Sequence, residues 1–132
     1  MKQRVLAVFG TRPEVIKLAP VILELRRRPA DADLLLCSTG QHREMLAQTL
    51  AAFDFRPDID LQVMQTAQHP TDLLARLLTG LRRVLDETRP NVLVVQGDTT
   101  TVMAGALAGF LHGVRVAHVE AGLRTRDKRA PF

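Results

Sequence analysis

Val92-Leu93-Val94-Val95-Gln96-Gly97-Asp98-Thr99-Thr100-Thr101 is the stretch that decides the fold. Pro90 precedes an unbroken apolar run, and Gly97-Asp98 ends it. Such a run, bounded by turn residues, reads as a strand buried on both faces, which is the mark of a parallel sheet. The threonines then open a helix over about Thr99–Leu111 that is rich in Ala and Gly. Its low bulk suits close packing on the sheet.

The same alternation recurs on either side. Val5-Leu6-Ala7-Val8-Phe9 ends at Gly10, and Glu14 to Arg28 follows with apolar residues at Val15, Leu18, Ala19, Ile22 and Leu25, which is helical spacing. Thr11 and Glu14 have the capping-box spacing, and Pro13 suits a first turn. Leu34 to Thr39 is a second strand, ended by Gly40 and followed by a helix from about His42 to Phe53. Ile59–Val63 is a weaker strand, and a long helix over about Thr71–Thr88 carries Leu73, Leu77, Leu81 and Leu85 on one side. A last strand, Val114–Val119, leads into Glu120 and a basic tail. Strands alternating with helices predict one α/β domain over residues 1–132, a Rossmann-like parallel sheet with helices on both faces.

Composition limits the function classes. The chain of 132 residues is 46% apolar and 24% charged, as ordinary globular domains are. Its net charge of +4 raises the question of an anionic partner. Arg26–Arg28 and Arg82–Arg83 are dispersed on helices, however, and only Arg124–Arg129 is a dense basic cluster. With no Trp or Tyr, and no Phe in a basic patch, there is no stacking platform for bases, so no nucleic-acid partner is expected. Cys37, alone in an apolar run, reads as a core residue of a reduced protein. Val5–Phe9 is too short for a signal peptide and nothing approaches a membrane span, so a soluble, cytoplasmic protein is expected.

In open parallel sheets, ligands bind beyond the carboxyl ends of the strands. Arg12 and Lys17, at and after the first turn, would add charge to a helix N-terminus that already favours anions. Spacing does not separate this from an ordinary pair of surface cations. The turn is neither a Walker loop nor G-x-G-x-x-G. Asp98 reads more readily as a carboxylate stabilising the start of the next helix than as a site residue. Glu120 ends a buried strand without an evident structural partner. Two carboxylates on one apolar edge can divide into acid and base. His42, His69, His112 and His118 have no metal-site spacing, so no metal is expected. His118, between apolar neighbours, reads as a hydrogen-bonded core histidine, and His42 as a minor contact on the ligand edge.

Taken together, four segments resemble one family. Phe9-Gly10-Thr11-Arg12-Pro13-Glu14 with Lys17, Thr39-Gly40-Gln41-His42-Arg43-Glu44-Met45-Leu46, Gly97-Asp98-Thr99-Thr100-Thr101 and His118-Val119-Glu120-Ala121-Gly122-Leu123-Arg124-Thr125 are similar, in order, to motifs of the non-hydrolysing UDP-N-acetylglucosamine 2-epimerases. The resemblance implies the N-terminal domain of a glycosyltransferase-B type fold. It implies interconversion of UDP-GlcNAc and UDP-ManNAc through a 2-acetamidoglucal intermediate, with no metal or redox cofactor and with a homodimeric full-length enzyme. Carried over residue by residue, it makes Asp98 and Glu120 catalytic and puts Arg12 and Lys17 on the substrate. Gln41, His42 and Glu44 fall where the family contacts a regulatory UDP-GlcNAc. Gln65–Thr71 departs from the family pattern. The family also continues past the position of Phe132 into a second domain with most of the uridine pocket. The expectation is therefore a truncated N-terminal part, inactive alone. A hydrolysing relative that releases ManNAc and UDP is the alternative enzyme, and a self-associating, non-catalytic module the alternative of another class.

Overall fold

A computed structural model describes residues 1–40, 43–122 and 125–130. Its strands are β1 (Gln3–Phe9), β2 (Ala32–Ser38), β3 (Ile59–Asp60), β4 (Val92–Gln96) and β5 (Arg115–Val119). Its helices are α1 (Arg12–Arg27), α2 (Arg43–Ala52), α3 (Pro70–Thr88) and α4 (Thr100–Leu111). The strands form one sheet in the order β3-β2-β1-β4-β5, and all four pairings are parallel. The chain builds outward from β1 on one side, then returns through α3 to lay β4 on the other. The order thus reverses between β1 and β4, the place where such sheets open a crevice for ligands.

Every residue from Val5 to Phe9 is buried because the sheet is covered twice. Leu6 and Val8 join Leu93 and Val95 against Leu77 and Leu81 of α3 and Ala104 and Ala108 of α4. Val5, Ala7 and Phe9 join Val94 against Val15, Leu18 and Ile22 of α1 and Leu46 and Leu50 of α2. Cys37 lies in the first of these cores. Burial, reinforced by the negative charge of Asp60, pushes its thiol up to about 12, so it stays protonated and inert.

Several boundaries shift by a residue or two from the sequence reading, and two of the differences are instructive. The strand expected over Ile59–Val63 is two residues long, because Gln62 takes a left-handed backbone (φ +48°) that breaks the extended chain. The path still follows β2 by single bonds, Leu61 N–H to Ser38 O and Val63 N–H to Thr39 O, which brings Val63 into the core. Helix α1 begins at Arg12 rather than Glu14, with Pro13 in its first turn.

Close packing of α4 depends on two glycines. A β-carbon on Gly105 would stand 2.8 Å from Val95 Cγ1, and one on Gly109 2.7 Å from Val116 Cγ2. The outer face of α4 has no charged residue and leaves Met103, Leu107, Phe110 and Leu111 exposed beside the exposed edge strand β5. Among the described residues no helix is long and apolar enough to cross a membrane.

These contacts predict opposite outcomes for two helical glycines. In Gly105→Ala, overpacking against the enclosed Val95 (~1–3 kcal/mol) outweighs the helix-propensity gain (~1 kcal/mol). Urea denaturation should then show a net loss of about 1 kcal/mol. In Gly80→Ala the new methyl meets only the flexible end of Leu61, at 3.2 Å. The same measurement should show no loss there, or a gain of up to about 1 kcal/mol.

Candidate functional site

Three turns meet at the carboxyl edge of the sheet. The first, after β1, is organised by a carboxylate rather than by a cation. Glu14 is 1% exposed. Its Oε2 accepts from Gly10 N–H (3.0 Å), Thr11 N–H (2.7 Å) and Thr11 Oγ1 (2.7 Å), while its Oε1 accepts from Thr99 Oγ1 (2.8 Å). The spacing of Thr11 and Glu14 marks a helix start; the structure adds that this side chain also ties α1 to the start of α4.

The second turn follows β4. Gly97 adopts φ +81°, a conformation that admits glycine at little cost. Thr99 is the N-cap of α4 and accepts from Val102 N–H at 3.4 Å. This corrects the reading of Asp98 as the stabiliser of that helix start. The threonine does the capping, and Asp98 is exposed, with no hydrogen-bond or ion-pair partner among the described residues.

The third turn follows β5. Glu120 holds a left-handed backbone (φ +58°), which is uncommon for a residue with a side chain and recurs at functional sites. Contrary to the sequence reading it has structural partners, drawn from distant parts of the chain where spacing cannot reveal them. Lys17 Nζ lies 2.6 Å from its Oε1, and the Gln96 side-chain amide donates to its Oε2. The hydrogen bond from Lys17 holds the Glu120 carboxyl below the usual carboxylate range. Partial burial opposes this, while the charge of Lys17 and the amide of Gln96 add to it. Both ends of the ion pair are about half exposed, so water screens it and its part in fold stability is small.

His118 corrects another expectation. β5 is the outermost strand among the described residues, so His118 is exposed here rather than in the core, and its Nε2 lies 2.6 Å from Gly97 O. It joins Lys17, Gln96, Asp98 and Glu120 around an open cavity of about 1110 Å³. The cavity is bounded on one side by Thr125–Lys128, and its size suits a drug-sized or larger ligand.

Not every predicted residue gathers there. Arg12 is exposed on the first turn of α1 and does not line the cavity. Glu44 sits exposed in the first turn of α2, also away from the lining. Gln41 and His42 lie outside the described residues. Among the described residues no group of three His, Cys, Asp or Glu side chains is arranged to hold a metal ion. Sequence reasoning missed Gln96, whose signal was a polar residue at the end of an apolar strand, and took Glu14 only for a cap.

A doubly covered parallel sheet with carboxylates and a lysine at its switch point is a Rossmann-like domain of the kind that glycosyltransferase-B type folds contain. Its fold is shared with a glycosyltransferase from Streptomyces sp. SF2575 solved with thymidine diphosphate (TM-score 0.54, 16% identity, 88% of this chain and 38% of that one), a likeness of fold alone. The match to the UDP-N-acetylglucosamine 2-epimerase family runs over residues 23–132, and the chain belongs to that family. It is 50% identical over 129 residues to the UDP-N-acetylglucosamine 2-epimerase of Yersinia pestis, covering 98% of this chain and 34% of that protein. The UDP-GlcNAc 2-epimerase of Neisseria meningitidis, solved bound to UDP-GlcNAc, matches with TM-score 0.89 and 44% identity over 98% of this chain and 35% of that one. The chain thus spans about a third of the length of these relatives.

Two outcomes follow from the geometry. Glu14→Ala strands buried N–H donors at Gly10 and Thr11 and should cost about 2–4 kcal/mol in urea denaturation. Glu14→Gln should cost less, because its oxygen still accepts from the turn and its amide can donate to Thr99. Lys17→Met should raise the Glu120 midpoint in a carbon-detected NMR titration. A depressed folded-state value means that the linked stability is present above the unfolded-state pKa and lost as pH falls through the folded one. The variant should therefore lose less stability on acidification than the parent does.

Proposed function

We propose that this chain forms the proton-transfer wall of a UDP-N-acetylglucosamine 2-epimerase that interconverts UDP-GlcNAc and UDP-ManNAc. The observation that carries the reading is the convergence of Asp98, Glu120 and Lys17 on one cavity at the sheet's switch point, in a chain that belongs to this family. The C2 proton of the sugar is weakly acidic, so its removal requires a positioned base. As it leaves, the C1–O bond to UDP breaks with its electron pair on the diphosphate, and a C1=C2 double bond forms in a 2-acetamidoglucal. Re-addition returns a proton to the opposite face of C2 and the UDP oxygen to C1.

Asp98 and Glu120 are the proton-transfer pair in this scheme. Lys17, which lines the cavity, stabilises the departing diphosphate, as a cation placed where charge develops does, and Arg12 adds its charge from the first turn of α1, outside the lining. No step calls for a redox cofactor. Gln41, His42 and Glu44 contribute to a regulatory site for a second UDP-GlcNAc. Residues 1–132 act as the N-terminal domain of a cytoplasmic homodimer, and the uridine pocket is supplied by a second Rossmann-like half, in keeping with the length of the relatives.

Full-length protein incubated with UDP-GlcNAc in deuterated water should incorporate deuterium at C2 and form UDP-ManNAc, followed by NMR. Accumulation of free ManNAc and UDP would identify a hydrolysing enzyme instead. Absence of both exchange and product would refute the epimerase reading. Residues 1–132 alone should show no turnover.

A further inference from the structure

We propose that Gln96 is a positioning residue that fixes the orientation of the Glu120 carboxylate in the cavity. This rests on the reading of Glu120 as a proton-transfer group. Gln96 is the last residue of β4 and only 5% exposed, at the end of a strand otherwise apolar from Val92. Burying a primary amide is costly unless it is hydrogen-bonded, and the bond that this amide makes is the one it donates to Glu120 Oε2. Nothing in the packing of the strand calls for a glutamine, since an apolar residue of the same size would fill the position without that requirement.

The ladder explains how the contact arises. Gln96 is the register partner of Val119, so Glu120 is the first residue beyond the paired strand. There the backbone turns left-handed, and the carboxylate is held on both oxygens, by Gln96 on Oε2 and by Lys17 on Oε1. The two partners are unlike. Lys17 is a flexible, half-exposed cation, and it is also the charge that a diphosphate would engage. Gln96 is short, neutral and enclosed, so it can hold the carboxylate whatever Lys17 contacts. A neutral donor also orients a base without placing another full charge against it.

The test is made on the 132-residue chain and does not depend on turnover. Besides Glu120 itself, the charged and titratable groups around the same cavity are Glu14 and Lys17 on α1, Asp98 after β4, His118 on β5, and Arg126, Asp127 and Lys128 in the following segment. All are retained in Gln96→Met, which removes the donor while keeping the volume. The Glu120 carboxyl midpoint should move up in Gln96→Met. It should move up further in Gln96→Glu, where a second carboxylate faces the first. Backbone amide spectra should show the fold intact in both. An unchanged Glu120 midpoint in the folded Gln96→Met chain would overturn the proposal, as would a loss of thermal stability with no change at Glu120, since that marks a purely structural residue. In full-length enzyme the same variant should lower kcat about tenfold or more with KM little changed. A parent enzyme without epimerase activity would refute the functional reading, while the titration would still decide the role of Gln96.

Discussion

A carboxylate removed from water must have its oxygens met by donors, and Glu14 meets this requirement with groups from two turns 85 residues apart. Its Oε2 gathers Gly10 and Thr11, and its Oε1 reaches Thr99. These are the turns that follow β1 and β4, the neighbouring parallel strands between which the strand order reverses. The bond network therefore fixes the mouth of the crevice at its weakest point, where two crossover connections diverge. Asp98 precedes Thr99 directly, so the staple also holds the backbone that carries it.

The remaining polar groups divide by this constraint. Thr99 caps α4, which leaves Asp98 without that duty. Glu120 is committed on both oxygens and held as an anion by Lys17. The two carboxylates thus meet the cavity in different surroundings, an asymmetry of the kind that acid–base chemistry uses.

The strands and helices were legible in the sequence because burial on both faces leaves continuous apolar runs, as in Val5–Phe9 and Val92–Val95, and because α3 repeats its leucines at helical spacing. What was not legible lies in contacts between residues distant along the chain. The partners of Glu120 stand 103 and 24 residues away, and no local pattern announces either. His118 looked like a core residue because its neighbours are apolar; that β5 is the sheet's edge is a fact of topology rather than of composition. The strand expected through Val63 stops at Asp60 because of a single left-handed residue, Gln62, which has no distinctive sequence signal. Asp98 reads from its position as the stabiliser of the next helix, and only the structure shows that the neighbouring Thr99 takes the capping role.

The central claim is that the turns after β1, β4 and β5 form one wall of a nucleotide-sugar site. The most direct measurement is a two-dimensional amide NMR titration of the 132-residue chain with UDP-GlcNAc. Weak, fast-exchange perturbations should concentrate at Thr11, Lys17, Gly97–Thr99 and Glu120–Gly122. Perturbations confined to the separate groove lined by Leu61, Arg76 and Arg83, or none at the turns after β1, β4 and β5 at millimolar ligand, would overturn this reading.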